Sequence, residues 1–156
     1  MRHAIISPDG ALTHHDGELD WDTLIGPEGK ARINLPGLAV AAWVNDVGLL
    51  YPKRYPRNIV GSCVLATLGA AVQPYAGPVV FTGWNPANTP LGLLEIESLP
   101  QPIEHLDTVH GAVLKALDGQ TPRDFTPSWA ETMREIAEHA RTAPTPGITV
   151  RTVTLR

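Results

Sequence analysis

A chain of 156 residues is long enough for one domain with a core of its own. With 43% hydrophobic and only 18% charged residues, its composition excludes wholesale disorder. The formal charge of −4 excludes the broadly basic surface of a general nucleic-acid binder, so any polyanion would have to be met locally.

In chain order, His3–Ser7 is an apolar run suited to a buried strand, and Pro8-Asp9-Gly10 is a turn signal. Ala11–His14 then returns as the second arm of a hairpin. Leu19, Trp21, Leu24 and Ile25 suit a short helix stopped by Gly26-Pro27. The stretch "ARINLPGLAVAAWVND" reads as one or two strands bent at Pro36-Gly37. Ile59–Leu68 and Pro78–Trp84 are β-rich runs, although the first holds enough Ala and Leu to admit a helix. Leu91–Leu99 alternates as a half-exposed strand does.

The last third changes period. Ile103, Leu106, His110, Val113, Leu114 and Leu117 fall on one helical stripe, with Gly119 placed to cap it. A second amphipathic helix starts near Pro127 with a capping-box pattern at Ser128 and Glu131, and carries Trp129, Met133, Ile136, Ala137 and Ala140 on its apolar face. "ITVRTVTLR" would be a closing C-terminal strand. Strands first and helices later predict an α+β fold: a mostly antiparallel sheet from the N-terminal two-thirds, two amphipathic helices and that final strand, in a single domain over 1–156.

Few residues offer chemistry. Cys63 is the sole cysteine, which excludes an intramolecular disulfide and a cysteine-built zinc site; its apolar context predicts a buried thiol. Six histidines invite a metal, but His14 and His15 in a strand point to opposite faces, and His105 and His110 stand about 140° apart on a helix. No metal site and no cofactor are expected. Asp107 precedes His110 by three residues and could orient it as a general base, yet no nucleophile accompanies the pair. Glu95 and Glu97 share a strand face, as exposed glutamates commonly do. "GPEGK" (Gly26–Lys30) lacks the spacing of a phosphate loop and has Ala31 where Ser or Thr would be needed.

The loop between the strands is the distinctive surface candidate. Tyr51, Lys53, Arg54, Tyr55, Arg57 and Asn58 combine cations and aromatic rings in "YPKRYPRN", with Pro52 and Pro56 stiffening it. Such a loop could take an anionic ligand, or stack and neutralise unpaired nucleic acid.

"VNDVGLL", "RNIVGSCVLATLG" and "YAGPVVFTG", with the opening "IISPDGAL", resemble the domain-of-unknown-function 3846 family over residues 3–84. Asn45, Asp46 and Gly48 match that family's first turn, Asn58 its asparagine-containing loop, and Gly77 and Gly83 flank its valine-rich strand. The resemblance implies a small protein of phage, plasmid or actinobacterial setting and brings no catalytic residue; residues 85–156 would be a helical elaboration.

The leading expectation is a non-enzymatic domain acting through protein contacts, with Trp84 in "TGWNP" a candidate homodimer anchor. Nucleic acid is not favoured as a partner. An enzyme using Asp107 and His110 is the remaining alternative. The opening has too short an apolar run for a signal peptide, and no segment is long and apolar enough to span a membrane, so a cytoplasmic protein is expected.

Overall fold

The computed structural model describes residues 1–35, 38–85, 96–99, 104–118 and 127–142. Among these residues five strands form one antiparallel sheet: β1 (Arg2–Ile6), β2 (Leu12–Asp16), β3 (Ala31–Asn34), β4 (Val40–Val44) and β5 (Val79–Gly83), in the order β2-β1-β5-β4-β3. Four α-helices among them accompany the sheet: α1 (Trp21–Leu24), α2 (Ile59–Thr67), α3 (Glu104–Leu117) and α4 (Pro127–Thr142). The architecture is α+β, as the order of strand and helix patterns predicts.

The β1–β2 hairpin forms because Pro8-Asp9-Gly10 closes tightly. Ser7 N–H donates to Ala11 O at 3.0 Å, and Gly10 takes a φ of +93° that a side chain would strain. The register pairs Arg2 with Asp16 and Ile6 with Leu12. β5 lies antiparallel to both β1 and β4, pairing Ile6 with Val79 and Trp43 with Val80. These pairings define two ends of the sheet. Ile6, Leu12 and Val79 mark one, and Arg2, Asp16 and Gly83 mark the other.

Alternation along the strands builds two cores. Ala4, Ile6, Ala42, Val44, Val79 and Phe81 face α2, α3 and α4. Ile5, Ala41, Trp43 and Val80 face the opposite way, where Leu19, Trp21, Leu24 and Ile25 around α1 cover them. Trp43 is buried, and its indole N–H donates to Thr82 Oγ1 at 2.8 Å.

The run Ile59–Leu68, read from sequence as β-rich, is a helix over Ile59–Thr67. Every residue from Gly61 to Thr67 is buried, because α2 has the sheet on one side and α3 and α4 on the others. A helix buried all round has no polar stripe, so its periodicity is silent. Amphipathic α4 matches its stripe, with Met133, Ile136, Ala137 and Ala140 buried, whereas α3 matches at Leu106, Val113 and Leu117 only. Leu114, expected on the stripe, is exposed, and Val109, outside it, is buried, because the buried face of α3 is rotated toward Val109. Asp118, just past α3, has φ of 34°; the expected cap, Gly119, lies outside the described residues, as do Ile103, the bend at Pro36-Gly37, 91–95, the closing strand over 148–156 and the side chains of Ser128 and Trp129. No helix among the described residues is long and apolar enough to cross a membrane.

Candidate functional site: the loop after the fourth strand

Chain leaving β4 enters a turn set by Asn45. This buried amide accepts from Val47 N–H at 3.0 Å and donates to Ile25 O and Glu28 Oε2 at 3.2 and 3.3 Å. A 3-10 turn over Gly48–Leu50 follows, and Gly48 is buried with its Cα against the Ala76 carbonyl, where a side chain would crowd it. Asp46 stays exposed beside Gly29. Asn45, Asp46 and Gly48 thus form one tight corner between β4 and the loop.

The loop's far side is anchored twice. Tyr55 is buried, its hydroxyl donates to Glu28 Oε2, and Arg54 forms an ion pair with the same carboxylate. Gly26, at φ of +118°, leaves the space that the Tyr55 hydroxyl fills, and Gly77 at φ of +80° packs against the ring. The Tyr55 hydrogen bond, aided by Arg54 and Asn45, holds the Glu28 carboxyl below its ordinary range despite partial burial. The same bond, with burial, pushes the Tyr55 hydroxyl up.

Asn58 is the second anchor. It is fully buried; Nδ2 donates to Ile6 O at 2.8 Å and Gly77 O at 2.9 Å, and Oδ1 caps α2 by accepting from Gly61 N–H at 2.8 Å. Two expectations are thereby corrected. Tyr55 and Asn58 are not ligand-facing groups, because their polar atoms are spent inside the protein. Arg54 is partly committed to Glu28, while Arg57 is exposed and its backbone bridges to Ala76.

Between the anchors the loop presents an apolar crest. Leu49, Leu50 and Tyr51 are 46%, 74% and 43% exposed, followed by exposed Pro52, Lys53 and Arg54. Beside them a groove of about 200 Å³ is lined by Ile33, Asp46, Leu49, Gln73 and Tyr75 among others. Sequence reading ranked the cations and tyrosines here and passed over Leu49 and Leu50. The signal was present, since two leucines precede a polar, proline-stiffened loop.

The other candidates disperse. Asp107 accepts from His14 Nε2 at 2.7 Å, whereas His110 Nε2 donates to the Gly10 carbonyl at 2.7 Å, so these bonds do not join the proposed acid–base pair. His15 stacks on His3 on the opposite face from His14, at a centroid distance of 5.4 Å. No group of three His, Cys, Asp or Glu among the described residues is arranged to hold a metal. Cys63 is buried, and burial pushes its thiol up to about 12. Glu97 pairs through its backbone with Gly83, while Glu95 lies outside the described residues. Trp84 is half-buried against the α1-side core with the Arg32 guanidinium 4.6 Å from its ring centroid, so the ring is engaged within the chain.

No protein-family profile matches the chain, and no solved structure matches it. The chain is 31% identical over 157 aligned residues to a type III pantothenate kinase of Burkholderia thailandensis. That alignment takes in 97% of this chain and 57% of the relative, so the chain spans a little over half of that protein's length.

Proposed function

We propose that this chain is a small non-catalytic binding module that acts in the cytoplasm through protein contacts, with the crest Leu49–Arg54 as its docking surface. The observation that carries the reading is three consecutive exposed apolar side chains held on a loop whose two ends are locked by buried polar anchors. Exposed contiguous apolar surface is costly unless it is used, and a preorganised loop loses little entropy on docking. Lys53, Arg54 and Arg57 would supply a charged rim. The resemblance of Asn45, Asp46, Gly48, Asn58, Gly77 and Gly83 to the domain-of-unknown-function 3846 family supports placing the chain there, with a mobile-element setting. An anion or nucleic acid is served less well, since two of the six candidate residues are internal anchors.

The likeness to the pantothenate kinase favours one competing reading, phosphoryl transfer to pantothenate. Both are tested together. A photo-cross-linking residue in place of Leu50, compared with one in place of exposed Glu131, is expected to give a discrete protein adduct in cells from position 50 alone. Identical patterns at both positions would overturn the docking reading, and catalytic turnover of pantothenate with magnesium and ATP would overturn the non-catalytic one.

A further inference from the structure

The crest has a counterpart on the same molecule. Segment 16–22 carries Asp16, Glu18, Asp20 and Asp22, all exposed, within seven residues. It borders an open, largely apolar concavity of about 450 Å³ lined by Met1, Gly17, Glu18, Leu19, Trp21 and Ile96. Asp20 caps α1 and keeps its charge, its carboxyl held low by the Thr23 hydroxyl and amide. Glu18, Asp22 and, on the crest, Lys53 have no ion pair among the described residues. One patch is a ridge of exposed apolar side chains beside cations, with a shallow concavity of about 370 Å³ along Leu50–Arg54. The other is an apolar hollow where Glu18, Asp20 and Asp22 outnumber its cations, since the Met1 ammonium is paired with Asp16 at 3.2 Å and Lys30 Nζ lies 4.3 Å from the Trp21 ring centroid.

Strand register puts them at opposite ends of the sheet. The crest follows Val44 and is tied by Asn58 to Ile6 and Gly77, at the Ile6–Val79 end. The acidic segment leaves β2 at Asp16, opposite Arg2, and Glu97, next to Ile96 in the hollow's wall, bridges Gly83. Five-residue strands separate the two ends by roughly 15 Å.

We infer that the partner is a second copy of this chain: the Leu49–Leu50–Tyr51 ridge of one copy docks in the Leu19–Trp21–Ile96 hollow of the next, with Lys53 and Arg54 facing Glu18 and Asp22. This inference rests on the protein-contact reading above and names its partner. Patches that are complementary rather than identical make a head-to-tail contact, which closes as a ring or grows. Opposed charges steer the encounter and fix its polarity, and burial of the apolar side chains supplies the affinity.

The 156-residue chain is compared by sedimentation velocity with Leu50→Asp on the ridge and with the rim double variant Glu18→Lys/Asp22→Lys. Lys53→Glu serves as the ridge variant should Leu50→Asp melt early. The wild type is expected to associate as concentration rises and to dissociate as salt rises, and each variant to associate at least about tenfold more weakly. Mixed in equal amounts, the two variants should form a pair and stop there, because one retains a ridge and the other a hollow. A wild type that stays monomeric overturns the inference, as does a mixture that stays monomeric while the wild type assembles. A monomeric wild type whose position 50 still cross-links to another protein removes self-docking and leaves the docking crest standing. Monomer without a specific cross-link removes both.

Discussion

The base and the crest of the loop between β4 and α2 are made from similar material and do opposite work. At the base, Asn45, Tyr55 and Asn58 are polar yet buried, and their polar groups bond to Ile6, Ile25, Glu28 and Gly77. At the crest, Leu49 and Leu50 are apolar yet exposed. Residue type alone would assign the polar positions to binding and the apolar ones to the core. The inversion shows where shape is set: a buried amide with every partner satisfied defines a loop more sharply than an exposed side chain can.

The difference can be broken most forcefully at Asn58. Asn58→Ala removes three buried hydrogen bonds, one of them the cap of α2, and should cost about 2–4 kcal/mol in urea unfolding. Gly26→Ala comes next. It imposes a side chain at φ of +118° where the Tyr55 hydroxyl sits, and should cost about 1–3 kcal/mol. A wild-type midpoint for either would show that the base does not anchor the loop.

Acid sharpens the comparison. The Glu28 carboxyl is held below its ordinary value of 4.5, so its contribution to stability is present above that value and is lost as pH falls through the lower folded one. The Tyr55 hydroxyl is raised, so its contribution is present below its ordinary value of 10.0 and is lost as pH rises through the folded one. Tyr55→Phe should therefore flatten the acid limb of a stability–pH profile; an unchanged limb would separate Glu28 from the clamp. Crest substitutions should do none of this. Leu50→Asp should leave the free energy of urea unfolding within about 0.5 kcal/mol of wild type.

A kinetic version reads the same contrast through Cys63 on α2. Its burial and its thiol, pushed up to about 12, should make labelling at neutral pH wait for an opening of the helix. Asn58→Ala should speed that labelling and Leu50→Asp should not. Equal rates in all three proteins would detach the loop base from α2.

Much of the fold was legible from local pattern. Pro8-Asp9-Gly10 announced the hairpin, the β-rich run Pro78–Trp84 announced β5, and the apolar stripes through Leu106–Leu117 and Met133–Ala140 announced α3 and α4. α2 was not, since a segment buried on every side carries no period, although Asn58 before an apolar run was an available capping signal. Within the site, the proline-stiffened loop was visible, but the roles inside it were misassigned. Glu28 and Tyr55 are 27 positions apart, and neither has a local feature that names the other.

By itself the sequence determined the β1–β2 hairpin, the strand character of β5, the two amphipathic helices and the buried setting of Cys63. Those properties follow from backbone period and turn chemistry, which act over a few residues. Tertiary structure alone decided that Ile59–Thr67 is a helix, that Tyr55 and Asn58 face inward while Leu50 faces outward, and that crest and acidic hollow lie at opposite ends of one sheet. Each depends on which distant segments exclude water from one another, a condition that no short window of sequence contains.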